Sequence, residues 1–329
     1  MGKKISGAVE EYRTMMKMGV VLCGICAVLA GGCTRQDGKT KIGIVQLVEH
    51  EALDAAYRGF VDALSENGYV DGENVTIDYQ NAQGEQANCV TIAQKFVNDR
   101  SDLILAIATP AAQAAANYTT QIPILVTAVT DPESAHLVNS NAHPGTNVSG
   151  TSDLTPCAAQ IELLVRILPA VRTVGMLYCS SEQNSIFQIN LAKAACDQLG
   201  LTYIDATVSN SNEIQQVVQS LVGRVDALYL PTDNMIAAGM ATVAQVANAN
   251  RIPTVCGEAN MVRNGGMITY GIDYYELGRQ TGMMAVAVLR DGASVADMPI
   301  QYVSDDALSL AYNEDTLTAV GVTLPADLR

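Results

Sequence analysis

The segment DLILAIATPAA, residues 102–112, contains the junction that defines the fold. Residues 103–108 form an apolar run that predicts a buried strand over residues 102–108, and Thr109 and Pro110 then begin a helix. Threonine is favoured at a helix N-cap, and proline is tolerated at the first helical position because no N–H donor is needed there. A buried strand that passes directly into a helix is typical of a βαβ unit and predicts a parallel sheet.

The same alternation of short apolar runs and amphipathic stretches continues in both directions along the chain. The predicted strands cover residues 41–47, 74–80, 102–108, 122–128, 173–178, 202–206, 227–230, 254–256, 267–270 and 300–303. Besides the helix that begins at Thr109, the predicted helices cover residues 52–67, 85–98, 155–168, 184–199, 212–222, 235–250 and 276–290. The two halves repeat one order of elements. We therefore predict the α/β fold class, with two similar doubly wound parallel-sheet lobes joined by a multi-strand hinge.

The order of elements also predicts where the chain passes between the lobes. Lobe 1 is expected to contain residues 41–151 together with about 274–296, and lobe 2 residues 152–273 together with about 297–329. Open parallel sheets bind ligands at the carboxyl ends of their strands, where loops meet helix N-termini. Two such sheets that face one another would form a cleft between the lobes, and we expect the ligand to bind there.

The N-terminal segment has the composition of a secretory signal. Residues 18–30 are an uncharged stretch, too short for a stop-transfer helix, and two glycines and Cys33 follow it. The basic residues ahead of this stretch are Lys3, Lys4, Arg13 and Lys17. A cysteine directly after the cleavage position resembles the lipobox of bacterial lipoproteins, in which that cysteine is acylated. The sequence thus predicts a lipoprotein signal peptide at residues 1–32, lipidation of Cys33 and a polar tether at residues 33–40.

An ordinary signal peptide followed by a cysteine without a special role is the alternative interpretation of this segment. Both interpretations place the mature protein outside the cytoplasmic membrane. Only the lipoprotein interpretation also anchors it to the bacterial cell membrane through lipid.

The composition limits the classes of partner. The chain has 329 residues and a net charge of −15, so removal of the signal leaves an acidic protein long enough for two domains. Nucleic acids and anionic membrane surfaces both attract basic patches, and the charge therefore argues against either partner. The 49% of hydrophobic residues is ample for two packed cores.

Signatures of catalysis and of metal binding are missing from the sequence. There is no phosphate-binding glycine loop, no G-x-S-x-G elbow and no H-E-x-x-H motif, and the three histidines have no metal-ligand spacing. An odd number of cysteines without clustered spacing follows Cys33, which indicates buried free thiols. We therefore predict no catalytic residue, no metal and no cofactor.

Polar residues follow strand after strand, at positions that would face the cleft. The candidate ligand-binding residues are Glu49, His50, Thr109, Thr130, Asp131, Asp153, Asn184, Ser185, Asp233, Asn234, Glu258 and Asp273. Each of them alone is more typical of a helix cap or a turn. Their recurrence in both halves favours a shared binding role.

The residue types in this set suggest two kinds of charged group on the ligand. Helix N-termini that carry small polar side chains suit a carboxylate, so Thr109, Thr130 and Asn184–Ser185 are expected to hold one. The acidic residues expected to hold an ammonium group are Asp233, Glu258 and Asp273. A carboxylate and an ammonium on one small molecule predict an α-amino acid.

Several motifs are similar to those of a known family. They are residues 49–54 (EHEALD), 107–113 (IATPAAQ), 127–132 (TAVTDP), 271–278 (GIDYYELG) and 317–325. As a set they resemble the TrpX-like substrate-binding lipoproteins of ABC transporters over essentially the whole mature chain. The resemblance implies a type I periplasmic-binding-protein fold and delivery of a ligand, often an aromatic amino acid, to a membrane permease. Residues 178–185 depart from the family, which often has Asn-Pro-Gly after the tyrosine.

The sequence thus predicts a lipid-anchored, extracytoplasmic solute-binding protein of an ABC importer, monomeric and not an enzyme. Its expected partners are a small ligand (an amino acid, with an aromatic one favoured), the permease and the ATPase of that permease. Two alternatives stay open at this point. One is a sensor domain that presents its ligand to a receptor, and the other is an exported α/β enzyme that uses the same cleft.

Overall fold

The computed structural model describes residues 38–304 and 308–328. The predicted signal peptide at residues 1–32 and the lipidation site Cys33 lie outside the described residues, as does most of the predicted tether. No helix within the described ranges is both long enough and apolar enough to cross a membrane.

Strands and helices alternate along the described chain as the sequence predicts. The strands are β1 (Thr40–Gln46), β2 (Val75–Asn81), β3 (Leu103–Ile107), β4 (Ile124–Val129), β5 (Val148–Ser152), β6 (Thr173–Cys179), β7 (Thr202–Val208), β8 (Ala227–Leu230), β9 (Thr254–Cys256), β10 (Ile268–Gly271), β11 (Gln301–Tyr302) and β12 (Ser309–Tyr312). The α-helices are α1 (Glu51–Glu66), α2 (Gln86–Asn98), α3 (Thr109–Tyr118), α4 (Cys157–Ile167), α5 (Gln183–Leu199), α6 (Ile214–Leu221), α7 (Asn234–Ala238), α8 (Met240–Ala249), α9 (Ala259–Arg263), α10 (Tyr274–Asp291) and α11 (Glu314–Val320).

The strands form two six-stranded sheets. The first has the order β11-β5-β4-β3-β1-β2, and the second has the order β12-β10-β9-β8-β6-β7. All neighbours are parallel except β12, which runs antiparallel to β10. Each sheet has its own buried apolar core, and Phe60 and Phe96 are among the largest side chains in the first, as Tyr229 is in the second. The predicted fold of two similar doubly wound lobes is confirmed.

The chain passes between the sheets at three places, and the last of them differs from the prediction. The segment from residue 297 was expected in lobe 2, but β11 pairs with β5 of the first sheet, where Gln301 lies beside Thr151. The Ser149 hydroxyl also donates to Met298 O at 2.6 Å. The final return to the second sheet therefore comes after Tyr302, and β12 and α11 then complete that sheet.

The predicted helix over residues 235–250 is broken into α7 and α8 at Gly239. A Cβ atom at this position would overlap with the side chain of Ile214, so the glycine admits a neighbouring helix at close range. The short helix α9 was not predicted. It follows Glu258, whose side chain accepts hydrogen bonds from the first amides of this helix.

Helices α1 and α10 touch through their backbones. A Cβ atom at Gly278 would overlap with the carbonyl oxygen of Ala56, and one at Gly59 would overlap with that of Tyr275. Only glycine permits so close an approach. Since α10 begins at Tyr274, directly after the second crossing between the sheets, this contact also fixes where Tyr274 lies.

Candidate functional site

The carboxyl ends of the two sets of strands meet across the lobes through direct hydrogen bonds. The amide of Gln188 on α5, which is fully buried, donates to the hydroxyl of Thr130 after β4 at 3.0 Å. The same side-chain amide contacts Thr232, which follows β8. The backbone N–H of Thr232 donates to Gln188 Oε1 at 3.2 Å. The two threonine hydroxyls lie 3.4 Å apart. The structure therefore has its lobes closed on one another.

A second set of contacts between the lobes lies at the N-terminus of α5. Gln183 Nε2 donates to the backbone oxygen of Ser134 at 2.7 Å, and Gln183 Oε1 accepts from Gln113 Nε2 at the same distance. Gln183 belongs to the second lobe, whereas Ser134 and Gln113 belong to the first. The Gln183 side chain therefore links the lobes, and its hydrogen bonds do not involve the carboxyl groups described below.

Gln183→Ala is expected to weaken ligand binding by about 1 kcal/mol, or roughly fivefold, because it removes hydrogen bonds that exist only when the lobes are closed. Folding stability should change little, since both partners of Gln183 become hydrated when the cleft opens. Calorimetric titration together with thermal unfolding checks both statements. Asn190→Ala, at an exposed position of the same helix, is the matched control. Equal weakening of ligand binding by the two variants would contradict the role of Gln183 in holding the lobes closed.

Four carboxyl groups are buried around the closed cleft, and the structure describes no buried lysine or arginine to neutralise them. They are Asp153, Glu182, Asp233 and Glu258, none more than 4% exposed. Burial raises the pKa of each, for Glu258 to about 7, because a charged carboxylate loses its hydration. Burial also raises the pKa of Glu182, to about 8, and repulsion by Asp233 adds to the shift. Such a site favours a ligand group that brings positive charge.

Two of these acids already serve as helix caps. Asp233 accepts the backbone N–H of Cys179 at 2.6 Å and that of Ile236 at 2.8 Å, and so caps α7. Glu258 accepts the first amides of α9 at 2.6 and 2.7 Å. Both carboxylates were predicted to hold an ammonium group. Their carboxylate oxygens instead already accept hydrogen bonds from backbone N–H groups.

Asp153, at the first crossing between the sheets, has a different environment. Its Oδ2 accepts the hydroxyl of Tyr274 at 2.7 Å, and its Oδ1 accepts that of Thr130 at 3.1 Å. Neither side-chain partner carries charge, and each carboxylate oxygen keeps capacity for a further donor. Among the four buried acids, Asp153 is therefore the one best placed to bind a cation.

A chain of polar side chains joins the two lobes beside these acids. His50 Nε2 lies 3.4 Å from Oδ1 of Asn234, and the Asn234 side-chain amide donates to Glu182 Oε2 at 2.6 Å. Glu182 Oε2 also accepts from Asn184 Nδ2 at 3.1 Å. Burial lowers the pKa of His50 to about 4, so the ring is neutral near pH 7.

Several helices that begin at this edge have no side-chain N-cap. Among them are α1, α3 and α5, whose N-cap positions are His50, Ala108 and Glu182. Uncapped first turns leave backbone N–H groups available and place the positive end of the helix dipole at the cleft. Next to them, the buried Thr109 Oγ1 has no hydrogen-bond partner among the described residues and can donate to a ligand. This arrangement suits an anionic group.

Two cavities adjoin the polar cluster. The smaller one, of about 10 Å³, is lined by His50, Leu53, Asp153, Thr232, Asp233, Asn234, Ala237, Glu258 and Tyr274. The larger one, of about 520 Å³, lies between the loops after β1 and β2 and those after β6, β7 and β8. Asn234 lines both, so the small polar cavity adjoins a space large enough for a side chain.

Most of the predicted site residues meet in this region, but three do not. Glu49 is exposed. Asp131 accepts Ser134 N at 2.6 Å and Asn141 Nδ2 at 3.0 Å, so it organises a loop of its own lobe. Asp273 is exposed and caps α10 through the backbone N–H of Tyr275 at 2.8 Å.

Sequence reasoning missed four buried polar residues of the cluster. They are Glu182, Gln188, Thr232 and Tyr274. Glu182 and Thr232 lie in or directly beside polar stretches that the sequence singled out, and Tyr274 lies in the motif at residues 271–278. Gln188 lies within a helical pattern, where a core or surface position is the usual interpretation. No group of three or more metal-ligating side chains is arranged to hold an ion in the described part of the chain.

Comparisons with known proteins identify relatives of this chain. Residues 41–329 match the family described as ABC transporter substrate binding protein. The chain is 42% identical, over 92% of its length and 91% of the relative's, to a tyrosine-binding protein of Clostridioides difficile.

Two solved structures are similar over 88% of this chain and 97% of each of theirs. One is an ABC domain from Streptococcus pneumoniae in complex with L-Trp, at 38% identity and a TM-score of 0.84. The other is the ligand-free, open structure of a substrate-binding protein with adhesive properties from Clostridium difficile, at 46% identity and a TM-score of 0.67. The relative with more sequence in common is thus the less similar in shape. The family match confirms the resemblance seen in the motifs: the chain belongs to the ABC transporter substrate-binding proteins, which bind solutes and are not enzymes.

Proposed function

We propose that this protein is the extracytoplasmic component of an ABC importer that binds a free amino acid, with an aromatic one favoured, between its lobes and delivers it to a permease. The observation that carries the proposal is the pairing of opposite electrostatic features in one closed cleft. Buried acids without a buried basic partner face the same space as uncapped helix N-termini. A zwitterion satisfies both features at once.

The ammonium group is assigned to the cavity of about 10 Å³ beside Asp153. A volume of roughly 10–15 Å³ on this measure holds one water-sized group, which matches an ammonium and excludes a ring. His50 and Tyr274 line the same cavity, so the group would have uncharged hydrogen-bonding neighbours as well as the carboxylate. Asp233 and Glu258 are secondary candidates because their oxygens already cap helices.

The carboxylate is assigned to the first turns of α3 and α5. Thr109 Oγ1, which is buried and has no partner among the residues that the structure describes, supplies a hydroxyl donor at the start of α3. At the start of α5 the corresponding donors are the backbone N–H groups of Gln183 and Asn184. The Ser185 N–H already donates to Glu182 O at 3.1 Å, and the Thr130 hydroxyl donates to Asp153 at 3.1 Å. Anions at helix N-termini gain from both the free N–H groups and the dipole.

The side chain of the ligand is assigned to the cavity of about 520 Å³. Leu47, Val48 and Met235 give it apolar surface, whereas Gln83 and Asn210 give it polar groups. A ring that carries a hydroxyl or an N–H suits such a mixed lining, because the polar groups of the site remain paired. The tyrosine-binding relative and the L-Trp complex support this choice of ligand class.

Calorimetric titration of the mature protein with L-tyrosine, L-tryptophan, L-phenylalanine and L-leucine tests the proposal. We expect at least one of the aromatic amino acids to bind more tightly than leucine. Each titration is repeated with a sugar and a nucleoside as ligands from other classes. Binding of either one in place of every amino acid would overturn the amino-acid assignment, and chemical conversion of the ligand would indicate an enzyme.

Lipid anchoring through Cys33 is part of the same proposal, since a permease works at the membrane. Two or more acyl chains give stable anchoring, whereas one chain binds only marginally. Cys33→Ser is therefore expected to move the protein from the membrane fraction to the soluble fraction without altering ligand affinity. A variant that still sediments with membranes would contradict the anchor. An ordinary signal peptide would give a soluble wild type.

A further inference from the structure

The ring of His50 has one nitrogen that contacts the opposite lobe and one that has no partner. Nε2 forms the long contact with Asn234 Oδ1, at 3.4 Å. Nδ1 is buried and makes no hydrogen bond with any described residue, including the first turn of α1, which His50 precedes. Whether Nδ1 is a donor or an acceptor decides which ligand group it can bind, and the neighbours of Asn234 settle that question.

The orientation of the Asn234 side chain is fixed by Glu182. Oε2 of Glu182 lies 2.6 Å from the side-chain nitrogen of Asn234, 3.2 Å from the Asn234 backbone N–H and 3.1 Å from Asn184 Nδ2. Three donors converge on this one oxygen, and the backbone N–H among them can only donate, so Oε2 acts as an acceptor. The proton that burial favours on Glu182 is therefore placed on Oε1, which has a single donor among the described residues, the Met235 N–H at 3.1 Å. The NH₂ group of Asn234 must therefore face Glu182, and its carbonyl oxygen Oδ1 must face His50.

An amide oxygen only accepts hydrogen bonds, so the ring nitrogen opposite it has to carry the proton. His50 is thereby fixed as the Nε2–H tautomer. Burial lowers the pKa of the ring to about 4, and a second proton is absent near pH 7. Nδ1 consequently presents a lone pair, which repels a carboxylate oxygen and needs an N–H or O–H donor.

We propose that His50 Nδ1 accepts a hydrogen bond from the ammonium group of the bound amino acid and so makes the site specific for ligands with a free amine. The inference rests on the proposed function and refines it. Asp153 and His50 line the same cavity. In this proposal Asp153 supplies charge to the amine, and His50 supplies a neutral acceptor beside it. The hydrogen bonds from Asn234 to Glu182 and from His50 to Asn234 set the tautomer of the ring. Two residues of the second lobe therefore determine that Nδ1 of His50, in the first lobe, is an acceptor.

Nuclear magnetic resonance of the imidazole nitrogens tests the tautomer without any ligand assumption. The chain has three histidines, so His50 is assigned by its loss in His50→Gln. We expect a protonated Nε2 and an unprotonated Nδ1 at pH 7, and a change at Nδ1 when L-tyrosine is added. Protonated Nδ1 would overturn the inference while leaving the proposed function intact.

A thermodynamic cycle tests the partner of Nδ1. L-tyrosine and its des-amino analogue, 3-(4-hydroxyphenyl)propanoate, are titrated into wild type and into His50→Gln, whose terminal NH₂ can replace Nε2–H but not Nδ1. We expect His50→Gln to weaken L-tyrosine binding roughly tenfold to a hundredfold and to change analogue binding little. His50→Asn, whose amide oxygen can approach the place of Nδ1, should recover part of the loss.

Equal weakening of both ligands by His50→Gln would overturn the role of Nδ1 while leaving amino-acid binding in place. Wild-type protein that binds the analogue as well as L-tyrosine would likewise overturn it. Failure of wild type to bind any amino acid overturns the proposed function, and with it the assignment of the amine as the donor. The three results are therefore distinguishable.

Discussion

Asp153→Asn is expected to weaken amino-acid binding by roughly 2–5 kcal/mol, because it removes the charge opposite the ligand ammonium in a closed, water-poor cleft. The side chain is only 4% exposed, so solvent screens the interaction little. Asparagine has nearly the same shape and retains one oxygen that can accept from Thr130. The change therefore acts on charge more than on packing. Isothermal titration calorimetry with L-tyrosine measures it.

Asp273→Asn is the matched control for this prediction. Asp273 was an equal candidate for the ammonium on sequence grounds, but it is exposed and caps α10. We expect its replacement to change affinity by less than about 1 kcal/mol, as for a surface charge. Unchanged affinity in Asp153→Asn, with a large loss in Asp273→Asn, would show that the assignment of the amine is wrong.

Gly278→Ala is expected to lower the free energy of unfolding by about 3 kcal/mol, because the added methyl group overlaps with the backbone of α1. Alanine normally stabilises a helix by about 1 kcal/mol relative to glycine, so a net loss is diagnostic of the close contact. Denaturant titration followed by circular dichroism measures the change. Ligand affinity should fall as well, because a shift of α10 moves Tyr274 and its hydrogen bond to Asp153.

Gly282→Ala, one turn further along α10, provides the comparison. Its added methyl group would lie 2.6 Å from the Cβ of Ala63 and 2.8 Å from the backbone oxygen of Phe60, a less severe overlap. We therefore expect a smaller loss than at Gly278. Stabilisation by both replacements would contradict the backbone contact between α1 and α10.

The local sequence determines much of this fold because strand and helix signals agree with one another at each junction. The passage from β3 directly into α3 is as predicted, but the N-cap is Ala108, so Thr109 and Pro110 are the first two helical residues rather than cap and first residue. The position of β11 in the first sheet was not predicted. Its two residues are placed there by pairing with β5 and not by any sequence pattern of their own. A strand this short carries too little periodicity to show which sheet it joins.

The site was harder to predict than the fold because caps and ligand contacts use the same residue types at the same positions. Asp233, Glu258 and Asp273 all precede helices, and the sequence does not show that the backbone already occupies them. Asp153 differs from them only through its hydrogen-bond partners. These are Tyr274, 121 residues away in sequence, and Thr130, 23 residues away. Glu182 was missed because it lies where the chain departs from its family.

The two solved relatives, one in complex with L-Trp and one ligand-free and open, differ in their similarity to this structure. Higher sequence identity normally accompanies higher structural similarity, yet the open, ligand-free relative has the lower TM-score. Rotation of one lobe about the hinge explains this order without a difference in fold. The contacts of Gln188 and Gln183 across the cleft belong to the closed arrangement and would separate on opening.

Small-angle X-ray scattering, with and without the amino acid that binds most tightly, tests the central claim that the ligand is held between the closing lobes. At saturation we expect a smaller radius of gyration and a curve that fits the closed structure, whereas the unliganded protein should be more extended. Calorimetry on the same sample establishes that the site is filled. A scattering curve that stays unchanged at saturating ligand would contradict binding by lobe closure.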